Sequence, residues 1–220
     1  MKPTGYLENA LTQMSNDYLG NSIASICSSG QRPLLMTGAF VQWLRQHFID
    51  ANNIEDPDLA LENTSFNWSH DLASTNIIIE SYTRFNPLQI EHRPALIVKR
   101  NKLQHVRLGI DNRYMGTSGT SNSREYSNAW AGSHTIFVLS GEGAECEKLT
   151  AEVYRELNQF APVMRQALNL AKIELSEIGD MHVLEEATDN FVVPITVAYS
   201  FFESWTVTPV APPMRAVMIK

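Results

Sequence analysis

Residues 132–160, GSHTIFVLSGEGAECEKLTAEVYRELNQF, constrain this chain most, because the hydrophobic period changes there from that of a strand to that of a helix across one glycine-flanked turn. Residues 133–139 are β-branched and apolar, with His134 as the one side chain of charged type, which is the composition of a strand buried on at least one face. Gly141 and Gly143 break that run. From Glu142 onward Cys146, Leu149, Val153, Leu157 and Phe160 fall on one helical stripe, while Glu145, Glu147, Lys148, Glu152, Arg155 and Glu156 fall elsewhere. Glu142, Glu145 and Glu147 suit the positive end of a helix dipole, and Pro162 is expected to stop the helix. A strand feeding an amphipathic helix predicts a domain that mixes α and β. Its core is expected to set Cys146, Leu149, Val153 and Leu157 against Ile136, Phe137 and Val138, with Phe40, Leu44 and Phe48 beside them.

A chain of 220 residues can bury a substantial core, and no shift in composition requires a second domain. Three parts are expected: an arm over residues 1–32, a core domain over 33–208 and an extended tail over 209–220. The net charge of -7 argues against sequence-independent nucleic-acid binding, which needs an excess of Lys and Arg. The charges are also segregated. Residues 93–130 hold seven basic side chains against two acidic ones, and residues 141–190 hold eleven acidic against four basic. Two solvated faces would account for this, and so would identical subunits meeting head to tail, basic edge against acidic edge. Cys27 and Cys146 form neither a disulfide framework nor a zinc motif. With no signal-peptide pattern and no run approaching the roughly 20 apolar residues of a membrane span, the reading is a protein neither exported nor membrane-inserted.

Along the chain, Tyr6, Leu7, Ala10, Leu11 and Met14 suit one short helix in the arm. Arg32 and Pro33 open the first firm helix, with an apolar stripe through Thr37, Phe40, Val41, Leu44, Phe48 and Ala51, flanked by Trp43 and His47. Residues 76–85 read as a strand. Residues 93–100 and 103–108 flank Asn101 and Lys102 as either a tight hairpin or one bent strand. Residues 109–131, containing GTSGTSNS, read as a long loop that is either functional or disordered, and residues 168–178 as a strand, with a helix nearly as good. Residues 190–208 make the longest β-like run, where Pro194 implies an edge position or a bulge.

Motifs that carry chemistry are missing or broken. His70, Asp71 and the scattered Ser residues invite a hydrolase reading, but there is no nucleophile elbow: GTSGTS misses its spacing and lies in a stretch with no strand entering it. GEGAEC places Cys146 where a phosphate-binding loop needs its third glycine, and Glu142 and Glu145 repel anions there. The six His residues show no ligand spacing. The expectation is a non-enzyme with no cofactor and no metal.

Three stretches, LLMTGAFVQWLRQHF, ECEKLTAEVYRELNQF running into AP, and VVPITVAYSFFESWTV with its proline-rich exit, resemble the tail terminator and neck proteins of tailed bacteriophages. That resemblance covers roughly residues 33–212, and leaves the arm and the 109–131 loop unmatched. It implies an α+β fold, a twisted and mostly antiparallel sheet with two main helices packed on one face, between extended arms. It further implies a virion protein, made in the host cytoplasm, whose subunits form a ring of six that ends tail-tube polymerisation and meets the neck connector or stopper protein, with DNA passing through the lumen unread. Another neck or tail-completion ring is the near alternative; a small-molecule-binding or enzymatic α/β domain is the distant one. Subunit contacts are expected at Arg100, Arg107, Arg113, Tyr114, Arg124, Tyr126, Trp130, Glu145 and Glu152. Tyr114, Met115, Tyr126 and Trp130 would anchor the long loop against a neighbour.

Overall fold

The computed structural model describes residues 32–50, 53–54, 66–71, 73–85, 94–107, 114–117, 124–184 and 187–207. The expected arm helix, the proline-rich tail and residues 109–113 and 118–123 of the expected loop lie outside them. Elements run in the order α1 (Arg32–Phe48), β1 (Ile78–Ser81), β2 (Ala95–Val106), β3 (Tyr114–Thr117), β4 (Arg124–Ser140), α2 (Gly143–Ala167), β5 (Lys172–Ile178), β6 (His182–Leu184) and β7 (Ala187–Val207). They build one α+β unit with a mostly antiparallel sheet in the order β1-β2-β4-β7-β5. The short β3 pairs with β4 and β6 with β7, and among the described strands only β1 and β2 run parallel.

The spine of the sheet is the β4–β7 pair, unbroken from Arg124↔Val207 to Ser140↔Phe191. Because side chains alternate along a strand, Ile136, Val138, Val193, Ile195 and Val197 face both helices and join Phe40, Leu44, Phe48, Cys146, Leu149, Val153 and Leu157 in the main core. Phe137 does not. It points to the other face and packs beside a smaller cluster of Ile78, Ala95, Ile97, Leu139 and Val192, which corrects its expected place under α2. The middle of that second face is polar: Asn101 Nδ2 donates to Thr135 Oγ1 (2.8 Å), and Thr135 Oγ1 lies 3.3 Å from Thr196 Oγ1.

Three local readings change, and one open alternative is decided. The stretch expected as a strand over 76–85 holds only four strand residues before a turn, with Arg84 N and Phe85 N both bonded to Ser81 O. The bent-strand alternative holds for β2, whose pairing with β4 shifts between Arg100 and Leu103. Within the expected loop, residues 114–117 and 124–131 are strand, since β4 begins at Arg124. Those polar side chains give no alternating signal; backbone pairing to β7 makes the strand. Pro162 also fails to stop α2, which continues to Ala167. Pro162 and Asn158 are both exposed, so water can satisfy the carbonyl that the proline leaves without a helical donor.

Pro194 sits in β7 between two strands rather than at an edge. It faces Phe137 on one side; on the other it lies between the β5 pairing, which ends at Ile195, and the β6 pairing, which begins at Val192. Its carbonyl accepts from Gly179 N at 2.8 Å. A Cβ on Gly179 would stand 2.6 Å from the Pro194 ring, so glycine permits this approach. Gly132 has a similar role, because Tyr199 crosses it so closely that a Cβ there would meet the hydroxyl at 3.0 Å.

His134 lies fully buried under α1, its Nε2 2.8 Å from Thr37 Oγ1 and its ring 5.2 Å from Phe40 and 5.4 Å from Tyr199, centroid to centroid. Burial, reinforced by the Arg100 guanidinium, lowers its pKa from 6.5 to about 4. Above pH 6.5 neither folded nor unfolded chain protonates this ring. Between pH 6.5 and 4 the unfolded chain takes up a proton that the folded one refuses, so stability falls, reaching a loss of about 3 kcal/mol near pH 4. Urea titrations across this range should show that loss in the native chain and not in His134→Phe; equal pH slopes would contradict the assignment.

Candidate functional site

The most concentrated polar chemistry among the described residues lies between the two helices. His47 of α1 is fully buried, with Nε2 3.0 Å from Glu152 Oε1 and Nδ1 3.2 Å from Glu156 Oε2. Both glutamates are themselves about 2 % exposed or less, and Arg155 Nη1 donates to Glu152 Oε2 at 2.9 Å. A carboxylate only accepts, so an imidazolium donating from both nitrogens would satisfy one oxygen of each glutamate at once. The carboxylates bind opposite sides of the ring and do not converge on a shared point; among the described residues no group of three His, Cys, Asp or Glu is arranged to hold a metal. With His47, Glu152 and Glu156 buried and Arg155 reaching the surface, the cluster fastens α1 to α2. Cys146 is equally closed to chemistry: burial, with Glu147 nearby, pushes its thiol up to about 11, and its Sγ donates to Val138 O at 3.4 Å.

Surface chemistry gathers at the two sides of the sheet. On one side, β1 covers β2 only as far as Val98, and among the described residues nothing pairs with β2 beyond it. Residues 99–106 therefore form an edge, and Lys99, Arg100, Lys102 and the adjoining Arg107 give it four positive charges with no acidic side chain between them. Arg100, Lys102 and Arg107 are exposed. The opposite edge is β5, where Glu174, Glu177 and the adjoining Asp180 are exposed and Lys172 is already paired with Glu174 at 2.6 Å. One sheet thus carries a basic edge and an acidic edge, each with backbone donors and acceptors directed outward.

A second surface lies on the stretch of β4 and β7 beyond the helices. Tyr126 stacks on Trp205 (5.7 Å, 13° between planes). Trp130 Nε1 donates to Glu203 Oε2 at 3.0 Å while His105 meets the indole edge-on. On the reverse face Val106 and Phe202, 38 % and 52 % exposed, flank Ala129. Trp130 and Tyr126 are half-buried on β4 and are not loop residues.

The residues expected at subunit contacts separate into groups. Arg100 and Arg107 stand on the basic edge; Arg124 is exposed at the start of β4, across from Val207. Tyr114 pairs with Tyr126 between β3 and β4. Arg113 lies outside the described residues. Glu145 is half-buried at the start of α2, where Ser140 Oγ donates to its carboxylate. Glu152 is withdrawn altogether, held by His47 and Arg155, and cannot meet a neighbouring chain from there. The acidic groups that do reach an edge, Glu174 and Glu177, fell within the acidic segment but not among the expected contacts. Alternation in KIELSEI, with Ile173 and Leu175 inward, signals Glu174; Glu177 shares their parity and turns outward where the pairing shifts between Leu175 and Glu177.

No family model matches the chain, and no curated protein matches it. No helix among the described residues is long and apolar enough to cross a membrane.

Proposed function

We propose that this chain is a structural ring subunit of a tailed-phage virion, placed at the head-proximal end of the tail, where it ends the tail tube and meets the neck connector. The observation that carries this reading is the pair of oppositely charged edges on one sheet. A surface whose complement is on the far side of the same molecule makes heterologous contacts, and such contacts close into a ring when the rotation between copies permits. The three stretches that resemble terminator and neck proteins supply the setting, and six subunits is the expected count. The exposed Val106 and Phe202 and the aromatic pairs beyond the helices would then offer surface to the tube or the connector.

The test is association of the full-length chain by sedimentation. Exchanging Arg100 and Arg107 for Glu should weaken self-association by about tenfold or more at low salt, with the native advantage shrinking near 1 M salt, where the screening length is about 3 Å. Unchanged association at every salt concentration would exclude the basic edge from the contact. Isolated tail tubes capped by the native chain, and left uncapped by the double variant, would place it at the tube end.

A further inference from the structure

Building on the ring reading, we propose that neighbouring copies join their sheets directly: residues 99–106 of one copy pair antiparallel with β5 of the next, in the register that sets Lys99 beside Glu177 and Leu103 beside Ile173. Strand direction permits this. β2 is antiparallel to β4, β4 to β7 and β7 to β5, so β2 and β5 run in opposite senses at the two edges. Two copies side by side in the same orientation, as a cyclic ring requires, therefore bring β5 of one against β2 of the next as an antiparallel pair.

The register follows from the same pairings. With the ring axis set parallel to the edge strands, the next copy is displaced sideways without sliding along them, and residues on one rung of the sheet are then those that meet. Lys99, Thr135, Thr196 and Glu177 share one rung. Leu103, Gly132, Tyr199 and Ile173 share another. The faces agree as well. Lys99 lies over Phe137 on the sheet face away from the helices, the face shared by Thr196, while Leu103 and Ile173 both pack against the main core. The joint therefore sets charge against charge on one face and apolar against apolar on the other. Each edge also carries a register shift, between Arg100 and Leu103 and between Leu175 and Glu177, which limits the ladder to two short stretches and guards both edges against indiscriminate pairing.

Two measurements on the full-length chain test this, in a Cys27→Ser background. Lys99→Cys with Glu177→Cys should give a ladder of covalent multimers under mild oxidation or with a short bifunctional thiol reagent. Val106→Cys with Glu177→Cys, several rungs out of register, should give none. Lys99→Glu or Glu177→Lys alone should weaken association by roughly tenfold, and the double exchange should restore it to within about threefold. Multimers that form without the Lys99–Glu177 cross-link and without rescue would overturn this joint while leaving the ring reading intact. A chain that stays monomeric would overturn both.

Discussion

Replacing His47 by alanine is expected to destabilise the folded chain by about 3–5 kcal/mol, the range for breaking a buried ion pair from one side. The cause is what the substitution leaves behind. Glu152 and Glu156, both buried between the helices, would face each other across an empty site, with Glu152 still paired to Arg155. Water cannot rescue them without opening the α1–α2 seam. Joint replacement of His47, Glu152 and Glu156 by leucine should recover most of the loss, because an apolar filling of similar volume carries no desolvation cost. Urea unfolding at pH 7 measures both. A single variant within about 1 kcal/mol of the native chain would mean that the seam is solvated in solution.

The second large effect is expected at Phe40, where alanine should cost roughly 3–5 kcal/mol. Phe40 is fully buried and forms one wall around His134. Its removal does more than open a cavity. The space created lies beside a buried imidazole, polar enough to admit water, and hydration would remove much of the penalty on charging the ring. The His134 pKa, about 4 in the native chain, should therefore move up toward 6.5, and the acid-side stability loss should shrink with it. An imidazole titration followed by NMR separates this from a plain packing defect, in which stability falls and the titration stays put.

The core was readable in advance wherever burial left a periodic pattern. Cys146, Leu149, Val153 and Leu157 announced their shared face, as did Phe40, Leu44 and Phe48, and all are buried together. Features that depend on partners distant in sequence were not readable. Residues 124–131 resemble a loop because their side chains are polar, yet seventeen consecutive pairings to β7 make β4 a single strand from Arg124 to Ser140. The helix does not end at Pro162, because the carbonyl it deprives of a donor lies at the exposed surface. The seam around His47 was the largest omission. His47 was visible only as a neighbour of the α1 stripe, and Glu152 and Glu156 as surface charges, although their spacing of four places them on one side of α2, next to Val153 and Leu157. An acidic pair bordering an apolar stripe, with a histidine bordering another, is the pattern that could have revealed it. At the sheet edges the opposed charges were legible, and which residues carry them to the surface was not, since that depends on strand order.

Sedimentation equilibrium of the full-length chain, across concentration and salt, tests the central claim most directly. A ring built from complementary edges predicts self-association at low salt to a species near six times the 24.7 kDa chain mass, dissociating as salt screens the edges. A 24.7 kDa monomer at every concentration and salt, with no larger form even in the presence of isolated tail tubes, would contradict it.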